Sequence, residues 1–143
     1  MTQRSAAPSR FCTAALGAAA AGAAVTAAAL VYLGPVQTGE LDAGMLGFLA
    51  WAVLPYLALV VAILEVARFG PRGNPVMLIG SVLISAFGGG NALLVALGID
   101  DDAQSVLVFL VLPPLQGAAL VLVVVVAAVV GRRPPATRPI QAR

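Results

Sequence analysis

Four long apolar runs separated by short polar gaps predict an all-α integral membrane protein. The expected architecture is an up-down-up-down bundle of four transmembrane helices with both termini in the cytoplasm (N-in/C-in). Three observations carry this. The 143 residues are 61% hydrophobic and only 10% charged, with a mean hydropathy of +1.02. A soluble domain keeps roughly a quarter of its residues charged to cover its surface. Each run is as long as the ~20 residues that cross a ~30 Å hydrocarbon core as a helix, or longer. All 8 cationic side chains are arginines, and they occupy alternate gaps, as the positive-inside rule requires of cytoplasmic segments.

The first run, 11–33, follows Arg4 and Arg10. Arginines before an alanine-rich stretch also fit a secretory signal, with Ala27 and Ala29 as an A-x-A site. The run outlasts an h-region of about 7–15 residues, so a retained helix is expected. The second run, 45–66, is followed by Arg68 and Arg72, and the third, 76–98, by Asp100, Asp101 and Asp102. The fourth, 105–130, leads into Arg132, Arg133, Arg138 and Arg143. Glu40 and Asp42 lie in the gap after the first run, which holds no cation. Apolar character covers every face of these runs, unlike an amphipathic soluble helix. Backbone groups in lipid must be satisfied within the segment, which leaves helices. The short gaps make consecutive helices expected antiparallel neighbours. Residues 1–10 form a cytoplasmic segment, 11–130 the transmembrane domain, and 131–143 a Pro- and Arg-rich tail expected to be disordered.

Composition excludes much chemistry. Histidine is absent, which removes imidazole bases, bis-histidine haem ligation and the usual zinc sites. Lysine is absent as well, and with it Schiff-base catalysis. Cys12 stands alone, so neither an internal disulfide nor a cysteine cluster can form. No cofactor, metal or enzymatic activity is expected. The pI near 9.3 arises from arginine flanks whose natural partners are anionic headgroups rather than nucleic acid. Arginine without lysine, with heavy Ala, Gly, Val and Pro usage, is the coding habit of a GC-rich genome. The expected location is therefore the bacterial cytoplasmic (inner) membrane.

One constellation deep in the runs draws attention. Pro55 and Tyr56 lie near the middle of the second run, Gly88-Gly89-Gly90-Asn91 in the third, and Pro113-Pro114 with Gln116 in the fourth. Each proline removes a donor and frees the carbonyl four residues earlier, here those of Trp51, Phe109 and Leu110. The Pro-Pro pair is expected to kink or break the fourth helix. Asn91 and Gln116 either line a polar site between discontinuous helices or bond to each other, or to the freed carbonyls, as interhelical glue. Glu65 and Arg68 are spaced for an interfacial ion pair.

Ser81, Ser85, Gly88 and Gly89, with Ala92, form a small-residue face at helical spacing. Close packing against Gly17, Ala18, Ala21 and Gly22 of the first helix is expected there, or else a homodimer through the same stripe. Matching segments suggest a duplication: Leu30 to Gly34 with Leu94 to Gly98, Phe48-Leu49 with Phe109-Leu110, and Pro55 with Pro113. Such a parallel repeat would be related by an axis along the membrane normal.

Residue patterns of small four-helix membrane families are missing. Small multidrug exporters carry a glutamate in the first helix, and this run has no acid. Quinone reductases that form disulfides need a Cys-x-x-Cys, which is absent. The expected function is a non-enzymatic structural or accessory subunit, with a small transporter or channel as the alternative. Its expected partners are the lipid bilayer and either another membrane protein or a second copy.

Neutralising Arg68 and Arg72 together should weaken cytoplasmic retention of the central gap, read by reporter fusions at that position. Neutralising Asp100, Asp101 and Asp102 should change it far less, because acidic residues contribute little to orientation. A larger effect from the acidic triplet would overturn the charge reading.

Overall fold

Arg10 already lies in a helix because the residue before it is a capping serine. The computed structural model describes residues 9–33, 43–69, 73–98 and 105–132. Ser9 Oγ accepts the Cys12 N–H at 3.2 Å and its carbonyl accepts the Thr13 N–H at 3.1 Å, a standard way to satisfy the first turn. The first helix, α1, spans Arg10–Val31. The second, α2, spans Ala43–Phe69 and holds Pro55. The third, α3, spans Asn74–Ala96 and starts ahead of Val76 because Pro75 sits in its first turn, where a missing N–H costs nothing. It ends at Ala96, and Gly98, just past the Leu97 cap, takes a φ of 65° that is open to glycine and terminates the helix. The fourth, α4, spans Ser105–Arg132. All four are long and apolar enough to cross a membrane.

Helix α4 runs without interruption through Pro113 and Pro114, so of the kink or break expected there, the break is absent. Unpaired backbone is so costly in hydrocarbon that neighbouring helices hold a proline-containing helix together. Pro113 faces inward and Pro114 outward, so only one of the two rings meets the bundle.

Adjacency also departs from chain order. The most extensive interface joins α1 to α3, while α2 and α3, consecutive in the chain, share the slightest of the principal ones. Around the bundle the order is α1, α3, α4, α2. A short connection brings two helix ends together but does not dictate contact along their length; small side chains do. The buried face of α1 is Ala15, Ala19, Gly22, Thr26 and Ala29, and that of α3 includes Ser81, Ser85, Gly88, Gly89 and Ala92. Gly22 belongs to the α1 face as expected, but Gly17 and Ala21 are exposed and Ala18 only half-buried. Since α1 touches α3 and α2 touches α4, both like pairs lie side by side. A two-fold axis along the membrane normal would have set like helices across a diagonal.

Contacts at one end tie the helices together. Asn74 Nδ2, at the start of α3, donates to Ser9 Oγ at the start of α1 at 2.8 Å. A Cβ added at Gly73 would stand 2.9 Å from the Ala127 carbonyl of α4 and 3.1 Å from Val66 Cγ1 of α2. Near that end Arg68 donates to both carboxylate oxygens of Glu65, at 2.8 and 3.0 Å, on an exposed surface. Arg10 and Arg132 are exposed. The residues 1–8 and 133–143, including Arg4 and Arg133 and most of the tail, lie outside the described residues. So do Glu40, Asp42, Arg72 and the acidic triplet at 100–102.

The interior holds two apolar clusters. One gathers Cys12, Ala19, Leu59, Ile63, Met77 and Leu120, among others. The second gathers Ala29, Leu30, Ala52, Ala92 and Phe109, with Phe48 set edge-on to Phe109 at 6.1 Å between ring centroids. The outside is equally apolar: Leu57, Leu83, Val121 and Leu122 are all more than half exposed. Water would not tolerate such a surface, and a bilayer requires it.

Glycine contacts give a direct test. A Cβ at Gly22 would lie 2.6 Å from Tyr56 Cε1 and 2.7 Å from Ser85 Cβ, whereas Gly17 has nothing within 4 Å. Gly22→Ala should therefore destabilise the bundle by about 1–3 kcal/mol, the cost of overpacking, in a reversible unfolding assay. Gly17→Ala should change stability by less than about 0.5 kcal/mol.

Candidate functional site: a buried polar layer

Between the two apolar clusters, polar side chains from α1, α2 and α4 meet a backbone carbonyl of α3. Tyr56 of α2 is 1% exposed, Thr26 of α1 and Gln116 of α4 each 2%. The Tyr56 hydroxyl and Thr26 Oγ1 share a hydrogen bond of 2.9 Å. Gln116 Nε2 donates to the same tyrosine oxygen at 3.4 Å and to the Ile84 carbonyl of α3 at 3.2 Å. An amide nitrogen can only donate, so the tyrosine oxygen accepts there and its own proton is free for Thr26. The chain of bonds runs α1–α2–α4–α3 and touches every helix.

Two glycines make the room. A Cβ at Gly88 would fall onto Gln116 Nε2 and the Tyr56 hydroxyl, and one at Gly22 onto the Tyr56 ring. The missing side chain at Gly88 also opens the way for Gln116 to reach the Ile84 carbonyl one turn earlier. Beside this layer, the Ser85 hydroxyl is buried without a hydrogen-bond partner among the described residues. Ser81, one turn away, instead donates to its own helix at the Met77 carbonyl, 2.6 Å distant.

The residues singled out in the sequence are divided by the structure. Tyr56 and Gln116 meet, and Pro55, beside Tyr56 in sequence, and Pro113, three residues before Gln116, are buried as well. Asn91 does not join them: its Nδ2 donates to the Phe87 carbonyl of its own helix at 2.6 Å. Neither amide bonds to the other or to a carbonyl freed by proline. Gln116 instead chose a carbonyl on the facing helix, and Asn91 one on its own. Pro114 points outward. Thr26 went unrecognised in the sequence, although its spacing of four from Gly22 in an otherwise alanine-rich helix puts both on one face. Asn74, which joins the starts of α1 and α3, was hidden as an ordinary helix-start residue.

Chemically the layer is neutral. It holds hydroxyls and one carboxamide, and no carboxylate or guanidinium side chain. Among the described residues, no group of three potential metal ligands gathers anywhere. Trp51 and Tyr32 are exposed to the surroundings of the bundle, as membrane-facing aromatics would be.

The chain matches no protein-family model, and no curated protein or solved structure shows significant similarity to it.

Tyr56→Phe tests the layer, since it removes the shared hydroxyl, takes the Tyr56 partner from Thr26 and leaves Gln116 with the Ile84 carbonyl alone. The expected loss is about 1–2 kcal/mol, in the range of interhelical bonds within membranes. Thr26→Val made on top of Tyr56→Phe should cost less than Thr26→Val alone, because the bond is already gone. Additive losses in this double-mutant cycle would show that the two groups are not coupled.

Proposed function

We propose that this small multi-pass membrane protein is a non-enzymatic structural or accessory subunit of the bacterial cytoplasmic membrane. One observation carries the reading: the polar groups of the four-helix layer bond to one another. Thr26, Tyr56, the Gln116 N–H donors and the Ile84 carbonyl are joined to each other across four helices. A translocation site would present its donors and acceptors to a cargo, and ion or proton coupling ordinarily places an ionisable group at this depth. The absence of histidine and lysine from the whole chain supports the non-enzymatic part.

Alternating helix directions with both termini cytoplasmic belong to the same proposal. The Ser9–Asn74 bond sets the starts of α1 and α3 side by side, and Gly73 nestles between the far ends of α2 and α4. Together with Arg10, Arg68 and Arg132, the described arginines, at that same end, these contacts favour N-in/C-in. Helix α1 contributes Thr26 to the buried layer, which favours its retention over cleavage as a signal.

A second reading, a small transporter or channel, draws on the Ser85 hydroxyl left unpartnered beside the layer. Two measurements separate the readings. On the structural reading, Gln116→Leu leaves the host phenotype intact, and purified protein in liposomes gives no ion flux above empty vesicles. On the transport reading, the same variant stays abundant but loses its phenotype, because leucine cannot replace a coordinating amide. For topology, cysteines at Gln37 and Gln104 in a Cys12→Ala background should label from outside intact cells, and one at Gly70 only after permeabilisation. Outside labelling of position 136 would refute the C-in assignment.

A further inference from the structure

We infer that the α3/α4 face around Asn91 is a dimerisation surface, on which two copies of this chain join their Asn91 carboxamides. The starting point is an amide in the wrong solvent. Asn91 lies five residues before the end of α3, roughly 8 Å inside it at ~1.5 Å per residue. A 23-residue helix overhangs a ~30 Å hydrocarbon core only slightly, so this amide sits within the apolar slab. Its single hydrogen bond, to Phe87 of its own helix, uses one of two N–H donors and neither lone pair of Oδ1. Lipid tails offer nothing for the rest.

The surroundings form a seat for another helix. Asn91 is half-buried in a crevice of about 300 Å³ between α3 and α4, walled by Phe87, Leu107, Val111 and Leu115. Along α3, Ile79, Leu83 and Phe87 stand exposed at successive steps of four before Asn91. They make a continuous i, i+4 ridge beside the crevice, the complementary shapes from which helix pairs are built. The small-residue stripe of α3 is not available for this purpose, because α1 covers it inside the bundle.

A second copy is the occupant that the chemistry selects. A carboxamide is its own complement, since each supplies the donor and the acceptor that the other lacks. Copies inserted in the same direction and related by an axis along the membrane normal hold equivalent residues at equal depth. With the axis passing beside this crevice, Asn91 meets Asn91, and an isologous interface satisfies both at once. One amide among apolar contacts also fixes the register, the use for which polar residues in helix seams are best attested. This inference rests on the single-orientation reading above, which cysteine labelling tests independently.

The experiment uses the full chain in vesicles of phosphatidylethanolamine and phosphatidylglycerol. Single-molecule photobleaching of a C-terminal fluorescent fusion should show two steps at moderate dilution. Asn91→Leu should shift the dimer midpoint roughly three- to thirtyfold to higher density, the span expected for one or two such bonds, and Asn91→Gln should restore most of it. In a Cys12→Ala background, Leu94→Cys should cross-link copies, whereas Leu46→Cys on α2, across the bundle from α3, should not. Single-step bleaching throughout, an Asn91→Leu dimer of unchanged strength, or equal cross-linking at both positions would each overturn the proposal. If the cysteine variants fail to fold, the bleaching series alone decides it.

Discussion

A tyrosine hydroxyl placed at the centre of a bilayer must find its partners within the protein. Tyr56 is 1% exposed, and water is not there to help. Its oxygen is met by Thr26 from one side and Gln116 from the other, and Gln116 reaches on to the Ile84 carbonyl. Four helices that could otherwise slide past one another on uniform apolar faces are thereby given one register. Apolar packing is tolerant of small displacements, while a hydrogen bond weakens steeply with distance and angle. Each such bond contributes little, ~0.6 kcal/mol on average in membranes, so its main effect is to choose among arrangements of similar energy.

That layer depends on what is missing as much as on what is present. Gly22 and Gly88 leave space for the Tyr56 ring and the Gln116 amide, and any side chain there would displace them. The same small residues let α1 and α3 approach more closely than the other helices, which reorders the bundle to α1, α3, α4, α2. Without a hydrophobic force to drive helices together in lipid, close van der Waals contact decides which pairs win. Leucine- and valine-rich faces are left to the lipid, as the exposure of Leu83, Val121 and Leu122 shows. The Ser85 hydroxyl, without a partner among the described residues, lies at this close approach, directly against Gly22.

Proline illustrates the same competition between local and tertiary preference. By local rules, Pro113-Pro114 should have interrupted α4, yet the helix continues to Arg132. Breaking it would expose further backbone groups to hydrocarbon, a cost larger than the two donors already lost. Conversely Pro75, placed in the first turn of α3, meets no such conflict and lets the helix start early.

The sequence by itself determined how many helices there are, nearly where each begins and ends, and that their surroundings are lipid. Those properties follow from runs of apolar residues and from backbone satisfaction within each segment, which need no knowledge of neighbours. Shifts of one to three residues at the ends came from local chemistry, such as the Ser9 cap and the Pro75 start. Tyr56 and Gln116 could be singled out as deep polar residues, but only the tertiary structure decided their partners. It joined Gln116 to Tyr56 and to Ile84, brought in Thr26, and left Asn91 apart, although both amides had looked equivalent along the chain. Which side of a helix faces inward is a question of a few tens of degrees, and uniformly apolar helices carry almost no periodic signal to fix it. Only the packing of small residues against one another, settled between helices far apart in the chain, resolves that angle.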